Sequence, residues 1–175
     1  MWKAGAWKER LSVPRTDRFC VKLHLIAVGT RMPHWVGDGY SEYAKRLPPE
    51  CELCLHEIAA VKRSKNFDVK RGLEAEGRSL LAKVPDAARV VTLDVEGRLW
   101  STVQLSKRME FWMASGQDVA FLVGGPEGLS AACKDRADET WSLSALTLPH
   151  PVVRVIVAEA LYRAWSLLNN HPYHR

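Results

Sequence analysis

The chain has 175 residues, enough for one domain with a substantial core and too few for two of ordinary size. Its hydrophobic fraction of 47% and charged fraction of 26% are typical of a soluble globular protein, and no apolar run approaches the roughly 20 residues that a membrane span requires. We therefore expect a single cytoplasmic domain with no membrane partner. The net charge of +5 and the pI near 9.1 favour an anionic partner such as nucleic acid.

Residues 1–20 are basic, but they lack the continuous apolar core of about 7–15 residues that a secretory signal contains. We treat 1–20 as an extension, either disordered or a mis-assigned start, and 21–175 as the folded domain. Cys51 and Cys54 have the C-x-x-C spacing of metal and redox sites. No second close pair accompanies them, and on a strand residues three apart point to opposite faces, so we expect reduced thiols and no metal.

The first half of the chain predicts two strands and two helices. Residues 21–28 form a strand, and Pro33 opens a helix with apolar positions four and three apart until Pro48 stops it. A second strand covers 51–58. A basic loop over 62–66 is either solvated or in contact with phosphate. The helix over 66–81 has an apolar face composed of Val69, Leu73, Leu80 and Leu81.

The second half continues this alternation. A buried strand over 89–94 ends in a turn at Glu96-Gly97, and Ser101 to Gln104 fits a capping box for a helix that Gly116 closes. The next elements are a strand over 118–123, a glycine-rich turn, a helix through Trp141, and a strand or extended loop over 142–148. Pro151 begins the last helix, in which Arg154 and Arg163 fall largely outside the apolar stripe.

The alternation of strands and helices predicts one α/β domain with a mainly parallel sheet. Ligands of such folds bind at the carboxyl ends of the strands, so the loops after Leu93, Val123 and Leu148 are the candidate site. Glycine at 124, 125 and 128 allows close approach of the backbone to a ligand, although a simple connection is the alternative. No dinucleotide or P-loop motif occurs, which disfavours nicotinamide and nucleoside triphosphate chemistry.

The last residues combine two imidazoles, a phenol and a guanidinium. A metal pair of His171 and His174 lacks a nearby acid, and Pro172 prevents helical spacing between them. Stacking of Tyr173 on a base, with His174 and Arg175 near phosphate, suits a basic protein better.

Several stretches of the sequence carry a family resemblance: 25–33 (LIAVGTRMP), 122–130 (LVGGPEGLS), 141–151 (WSLSALTLPHP), 158–165 (AEALYRAW) and 169–175 (NNHPYHR). Together they resemble the bacterial ribosomal RNA large-subunit methyltransferase H family. The resemblance implies the SPOUT class of S-adenosylmethionine-dependent enzymes, with a carboxyl-terminal trefoil knot and a homodimer. The family begins near the first strand, so Val21 is a candidate start of the native protein.

By resemblance, the substrate is a pseudouridine of 23S rRNA in the assembled ribosome, methylated on N(3). The resemblance places these residues around the methyl donor: Leu93, Gly124, Gly125, Leu143, Ser144, Ala145, Leu146, Thr147 and Leu148. We expect Tyr173 and His174 to orient the base from the partner subunit, with His174 as a general base. Arg154, Arg163, His171 and Arg175 are candidate substrate contacts. A noncatalytic ribosome- or RNA-binding module, and another nucleotide-binding enzyme, are the alternatives.

Overall fold

The structure is a computed structural model and describes residues 20–63 and 67–174. The expectations for the amino-terminal extension before Cys20, for the end of the basic loop and for Arg175 lie outside these residues. Five strands alternate with five helices: β1 (Leu23–Val28), α1 (His34–Ala44), β2 (Leu53–Ile58), α2 (Val69–Leu81), β3 (Arg89–Leu99), α3 (Thr102–Ser115), β4 (Val119–Val123), α4 (Ala131–Arg136), β5 (Glu139–Ser142) and α5 (His150–Leu168).

The strands form one parallel sheet in the order β2-β1-β4-β3-β5. This confirms the predicted α/β domain with a parallel sheet. Every residue of β1 and β4 is buried, because helices cover both faces of the sheet. This burial explains why β4 is a continuous apolar run and why His24 is the one polar residue of β1. No helix within 20–63 and 67–174 is long and apolar enough to cross a membrane.

The two faces of the sheet belong to separate cores. Leu25 and Phe121 point to the core shared with α1, α3 and α5, whereas Ile26 and Leu122 point to the core shared with α2 and α4. Neighbouring residues of one strand therefore serve opposite layers. The larger core holds α5 against the sheet, so the amino-terminal end of α5 lies near the carboxyl ends of the strands.

The boundaries around β3 and α4 differ from the prediction. β3 continues to Leu99 instead of turning at Glu96-Gly97, because a register shift lets Trp141 pair with both Leu93 and Arg98. Gly97 is needed there, since a Cβ would lie 2.7 Å from the carbonyl carbon of Trp141. The predicted helix through Trp141 is also wrong, because α4 ends at Arg136 and Trp141 lies in β5.

The predicted apolar face of α2 is correct for Leu80 and Leu81, which pack in the smaller core, and wrong for Val69. Val69 is 47% exposed, and the buried side of the helix consists of Gly72, Glu76, Gly77 and Leu80. A Cβ on Gly77 would lie 2.0 Å from Oγ of Ser130, so α2 packs more closely on the turn before α4 than any larger residue would allow. Gly72, Glu76 and Gly77 give no hydrophobic signal in the sequence, so their part of the buried face could not be predicted.

The observed ends of α3 agree with the prediction from the sequence. Ser101 caps α3 through the predicted capping box with Gln104, and Gly116 closes the helix at a φ of 68°. Both α1 and α5 begin after a proline, which cannot donate a backbone hydrogen bond.

Candidate functional site

A cavity of about 570 Å³ opens at the carboxyl ends of the strands. The bulged part of β3, the loops after β4 and β5, and the first turn of α5 line it. Its volume is that of a pocket for a small organic molecule, roughly 300–1,000 Å³. Eight of the nine residues expected around the methyl donor line this cavity: Leu93, Gly124, Gly125, Leu143, Ser144, Leu146, Thr147 and Leu148. Ala145 is exposed in the same loop and does not line the cavity.

The bulge in β3 forms one wall of the cavity. After Leu93 the strand leaves its register with β5, and this shift brings Asp94 and Val95 to the pocket lining. Oδ2 of Asp94 accepts a charged contact from Nζ of Lys134 at 2.8 Å, and Oδ1 accepts the backbone N–H of Glu96 at 3.0 Å. Burial alone would raise the pKa of Asp94, but these two contacts hold it below its usual value. The contacts of Asp94 with Lys134 and with the backbone of Glu96 therefore hold this wall in place.

The glycine-rich turn forms the second wall. The N–H of Gly128 donates to the carbonyl of Gly125 at 2.9 Å, with Gly128 at a φ of +86°. A Cβ on Gly124 would lie 2.1 Å from the carbonyl oxygen of Gly128. The helix that follows has only six residues, and its first turn is capped by the side chain of Ser130. The turn is therefore closed by backbone packing between Gly124 and Gly128, whereas the short α4 contributes no long helix dipole.

The loop after β5 is the third wall, and it is held open by local hydrogen bonds. Oγ of Ser142 donates to the carbonyl of Ser144, and Oγ of Ser144 accepts the N–H of Leu146. The side chain of Leu146 is 72% exposed although it lines the cavity. The N–H groups of Thr147 and Leu148 have no partner within the described part of the chain. The loop thus offers an apolar surface beside available backbone donors.

Sequence reasoning missed the imidazole that completes the cavity. His150 is the first residue of α5 and lines the pocket beside Val153. Partial burial, followed by the positive charge of Arg154, lowers the pKa of His150, so the ring is neutral near pH 7. The signal was present in the sequence, because a histidine between two prolines at a strand-to-helix loop must lie at the carboxyl edge of the sheet.

Glu127, in the glycine-rich turn, does not face the cavity as an isolated charge. Oε1 of Glu127 pairs with Arg63 at 3.0 Å, and both side chains are partly exposed. Beneath the turn, the carboxylate of Glu76 is 7% exposed and accepts the N–H of Val61 at 3.0 Å. Glu76 lies so close to the turn that a Cβ on Gly125 would be 2.8 Å from its Oε2.

Arg154 was expected outside the apolar stripe of α5, and this expectation is wrong. The side chain is 1% exposed, and Nη1 contacts Oε1 of Glu57 at 2.5 Å. Nη2 donates to the carbonyl oxygens of Val28 and Gly29. Arg154 therefore joins the first turn of α5 to the ends of β1 and β2, and it offers no surface for a substrate in a single chain.

The tail lies far from this cavity within one chain. The hydroxyl of Tyr173 donates to Glu159 at 3.1 Å, and the guanidinium of Arg163 lies 4.9 Å from the centre of the Tyr173 ring. The ring of His171 contacts Tyr162 and a neighbouring indole. Burial, hydrogen bonding to another tyrosine and the charge of Glu159 raise the pKa of Tyr173.

These tail contacts surround the last turns of α5. A helix rises about 1.5 Å per residue, so Tyr162 lies about 18 Å along α5 from His150. The structure brings Tyr173, Arg163 and His171 together, and it separates them from the residues around the cavity. The backbone of His174 completes the turn after Pro172, whereas Arg175 lies outside the described residues.

The cysteines and acids form no metal centre in the part of the chain that the structure describes, because no group of three or more potential ligands is placed to hold an ion. Burial raises the pKa of the Cys54 and Cys133 thiols, which keeps both protonated at neutral pH.

Comparison with known proteins agrees with this architecture. A family model described as "Predicted SPOUT methyltransferase" matches residues 21–174. The ribosomal RNA large subunit methyltransferase H of Methylococcus capsulatus is 59% identical over 155 residues, which are 89% of this chain and 100% of that protein. The protein of the same name from Thioalkalivibrio sulfidiphilus is 61% identical over 155 residues, 89% of this chain and 99% of that protein.

Among solved structures, a probable methylase family protein from Haemophilus influenzae Rd KW20 has the same fold. Its TM-score is 0.51 at 14% sequence identity, and the match covers 87% of this chain and 69% of that chain. The family model and the two curated relatives span nearly all of the described residues. The chain therefore belongs to the SPOUT methyltransferase family and, within it, to the ribosomal RNA large subunit methyltransferase H family.

Proposed function

We propose that this methyltransferase uses S-adenosylmethionine to methylate N(3) of a pseudouridine in 23S rRNA of the assembled ribosome. The observation that carries the proposal is the three-walled cavity at the carboxyl ends of the strands. The two curated relatives are named for large-subunit ribosomal RNA, and their identity extends over 155 residues. A ribosomal substrate also supports a cytoplasmic location and agrees with the positive net charge.

The residues of the cavity fit the methyl donor. Leu93, Leu146 and Leu148 present apolar surface for an adenine ring, and the N–H groups of Thr147 and Leu148 are available for its nitrogens. Gly124 allows the backbone of the turn to pack against Gly128, and this packing sets the shape of the wall that faces the ligand. When bound, the donor supplies an activated methyl group on a positive sulfur that is its own leaving group.

The protein then has to position the reactants and keep water out of the site. Asp94 is held by Lys134, and Glu127 by Arg63, so these carboxylates fix the walls before any ligand enters. A fixed cavity lowers the entropy cost of bringing a nitrogen in line with a methyl group, and such positioning contributes much of the rate in transfer reactions. We therefore assign the walls to donor binding and orientation.

The substrate nucleotide requires a second group of residues. Tyr173 and His174 orient the base, and His171, Arg163 and Arg175 contact RNA. Because the tail lies at the far end of α5 from its own cavity, Tyr173 can serve only the cavity of a second copy. This separation supports a homodimer whose tails complete each other's sites. His174 is one candidate acceptor of the N(3) proton. The knot and the domain limits of 21–175 are proposed from the family.

A labelled-methyl assay tests this function directly. We expect transfer to ribosomes that lack the methyl group, little transfer to free 23S rRNA, and saturable donor binding by calorimetry. Salt-sensitive RNA binding without donor binding would instead identify a noncatalytic RNA-binding module. Donor binding with transfer to some other acceptor would identify a methyltransferase of different specificity.

Removal of the tail separates its role from donor binding. A chain that ends at Asn170 is expected to methylate ribosomes about 100-fold more slowly or worse, because it lacks Tyr173 and His174, which orient the base. Donor affinity is expected to stay near the wild-type value, since no tail residue lines the cavity of its own chain. Stopped assays on ribosomes and calorimetry give the two values. Unchanged methylation by the truncated protein would refute the role of the tail.

Tyr173→Phe is the matched variant for the tail. It removes only the hydroxyl that donates to Glu159 and keeps the ring between Tyr162 and the guanidinium of Arg163. We expect a smaller loss of methylation than with truncation, because stacking on a base depends on the ring.

A further inference from the structure

The cavity contains one titratable side chain with no hydrogen bond among the described residues. His150 lines the pocket and is partly buried, and no donor or acceptor of the described chain satisfies either ring nitrogen. Asp94, the other titratable residue of the lining, is already bound by Lys134 and by a backbone N–H. Polar groups inside a pocket are usually paired, so a vacant imidazole is available to a ligand.

The charges that face His150 come from three elements. Arg154 lies one turn further along α5, Arg63 follows β2, and Glu76 belongs to α2. The two guanidinium groups and partial burial favour the neutral ring, whereas Glu76 favours the protonated ring. Glu76 is itself 7% exposed and is fixed by the N–H of Val61, so its charge is held in place.

We infer that His150, which lines the cavity and has no hydrogen bond to any described residue, accepts the N(3) proton of the substrate. The inference rests on the proposed function, since it assigns a role within that site. It favours His150 over His174 as the acceptor because His150 is a group of the same chain that forms the cavity. The tail then keeps its role in orienting the base.

The proposed step transfers the N(3) proton to His150 and the methyl group to N(3). The N(3)–H bond breaks and its proton goes to a ring nitrogen of His150, while the freed electron pair forms the bond to the methyl carbon. The pair of the breaking carbon–sulfur bond stays on sulfur, which becomes a neutral thioether. The imidazolium is stabilised by Glu76 and returns its proton to solvent at the open side of the cavity. Glu76 acts through His150 and is a positioning residue.

The pH dependence of a single turnover tests this assignment. Donor-saturated enzyme is mixed with ribosomes that lack the methyl group, from about pH 5 to about pH 9. The wild-type rate is expected to rise with pH and then level off, because only the neutral ring accepts a proton. His150→Gln is expected to reduce the rate about 100-fold or more and to remove this rise. Donor affinity, measured by calorimetry, is expected to stay within about threefold.

The control histidine is His34, which is exposed on α1 and pairs with Asp38. His34→Gln is expected to keep both the rate and the pH profile. If His174→Gln removes the rise with pH and His150→Gln does not, the inference is wrong while the proposed function stands. If the wild-type protein binds no donor, the proposed function itself fails.

A second variant covers the case in which His150→Gln does not fold. Glu76→Gln keeps an acceptor for the N–H of Val61 but removes the negative charge. Because Glu76 favours the protonated form of His150, its loss lowers the pKa of the ring, and the rise in rate is expected at lower pH. An unchanged position of the rise in a folded Glu76→Gln protein would overturn the inference.

Discussion

Gly124→Ala is expected to weaken binding of the methyl donor by about 100-fold. An added Cβ would lie 2.1 Å from the carbonyl oxygen of Gly128, 2.4 Å from its carbonyl carbon and 3.0 Å from the backbone nitrogen of Leu129. All three atoms belong to the backbone, so no side chain can rotate away to make room. The turn has to move as a whole, and with it the wall of the cavity after β4.

The expected size of this effect follows from overpacking. Inserting a methyl group into a closely packed region costs about 1–3 kcal/mol of stability. We expect that cost in the free energy of unfolding, together with a loss of donor affinity of about 100-fold, since about 1.4 kcal/mol of lost contact corresponds to each factor of ten. Calorimetry with S-adenosylmethionine and chemical denaturation measure the two quantities.

Gly37→Ala is the matched control for this substitution. Gly37 lies within α1, and a Cβ there meets no atom within 4 Å. Alanine is the better helix former by about 0.8–1.0 kcal/mol, so this variant is expected to be slightly more stable and to bind the donor normally. Normal donor affinity in Gly124→Ala would show that the turn is not part of the donor site.

Arg154→Met is expected to cause the largest loss of stability. The substitution keeps much of the side-chain volume but leaves the carbonyl oxygens of Val28 and Gly29 without their buried donor. It also removes the partner of Glu57, which sits on β2. Leaving a buried acceptor without its donor costs about 1–3 kcal/mol, and we expect a decrease of this size in the free energy of unfolding. Glu57 contributes little to this loss, because its side chain is 36% exposed and stays solvated.

Denaturant unfolding measures this loss, and a surface pair supplies its control. Lys45 pairs with Glu42 on α1, with 66% of the Lys45 side chain exposed. Lys45→Met is expected to leave the unfolding midpoint unchanged, because exposed pairs contribute little. A decrease of less than about 1 kcal/mol in Arg154→Met would mean that water replaces the guanidinium, and the proposed attachment of α5 to β1 would be wrong.

The order of the elements and the location of the cavity could both be predicted from local features. Apolar runs and helical spacing identified every element except β5, and the rule for parallel sheets selected the loops after Leu93, Val123 and Leu148, three residues that line the cavity. The same features could not show that β3 continues past Gly97. That continuation depends on pairing with Trp141, a residue more than 40 positions later in the chain.

The side-chain environments were less predictable, because burial of polar groups depends on distant partners. Arg154 has the spacing of an exposed residue, yet its partners are Glu57 and two carbonyl oxygens about a hundred residues or more earlier in the chain. The burial of the glycines of α2 could not be predicted for a related reason, since Gly77 is buried by its close contact with Ser130, a distant residue in the chain. The position of His150 in the cavity could not be predicted either, because the sequence does not show which residue of this loop turns inward.

The cavity is built from a single part of the chain, so substitutions in different parts of the chain have different effects. Among the described residues, every one that lines the cavity belongs to the segment 93–153. The earlier part of the chain supplies β1, β2 and the acceptors of Arg154. We expect most substitutions in this earlier part, apart from those at Arg63 and Glu76, to change the stability of the fold more than the affinity for the methyl donor.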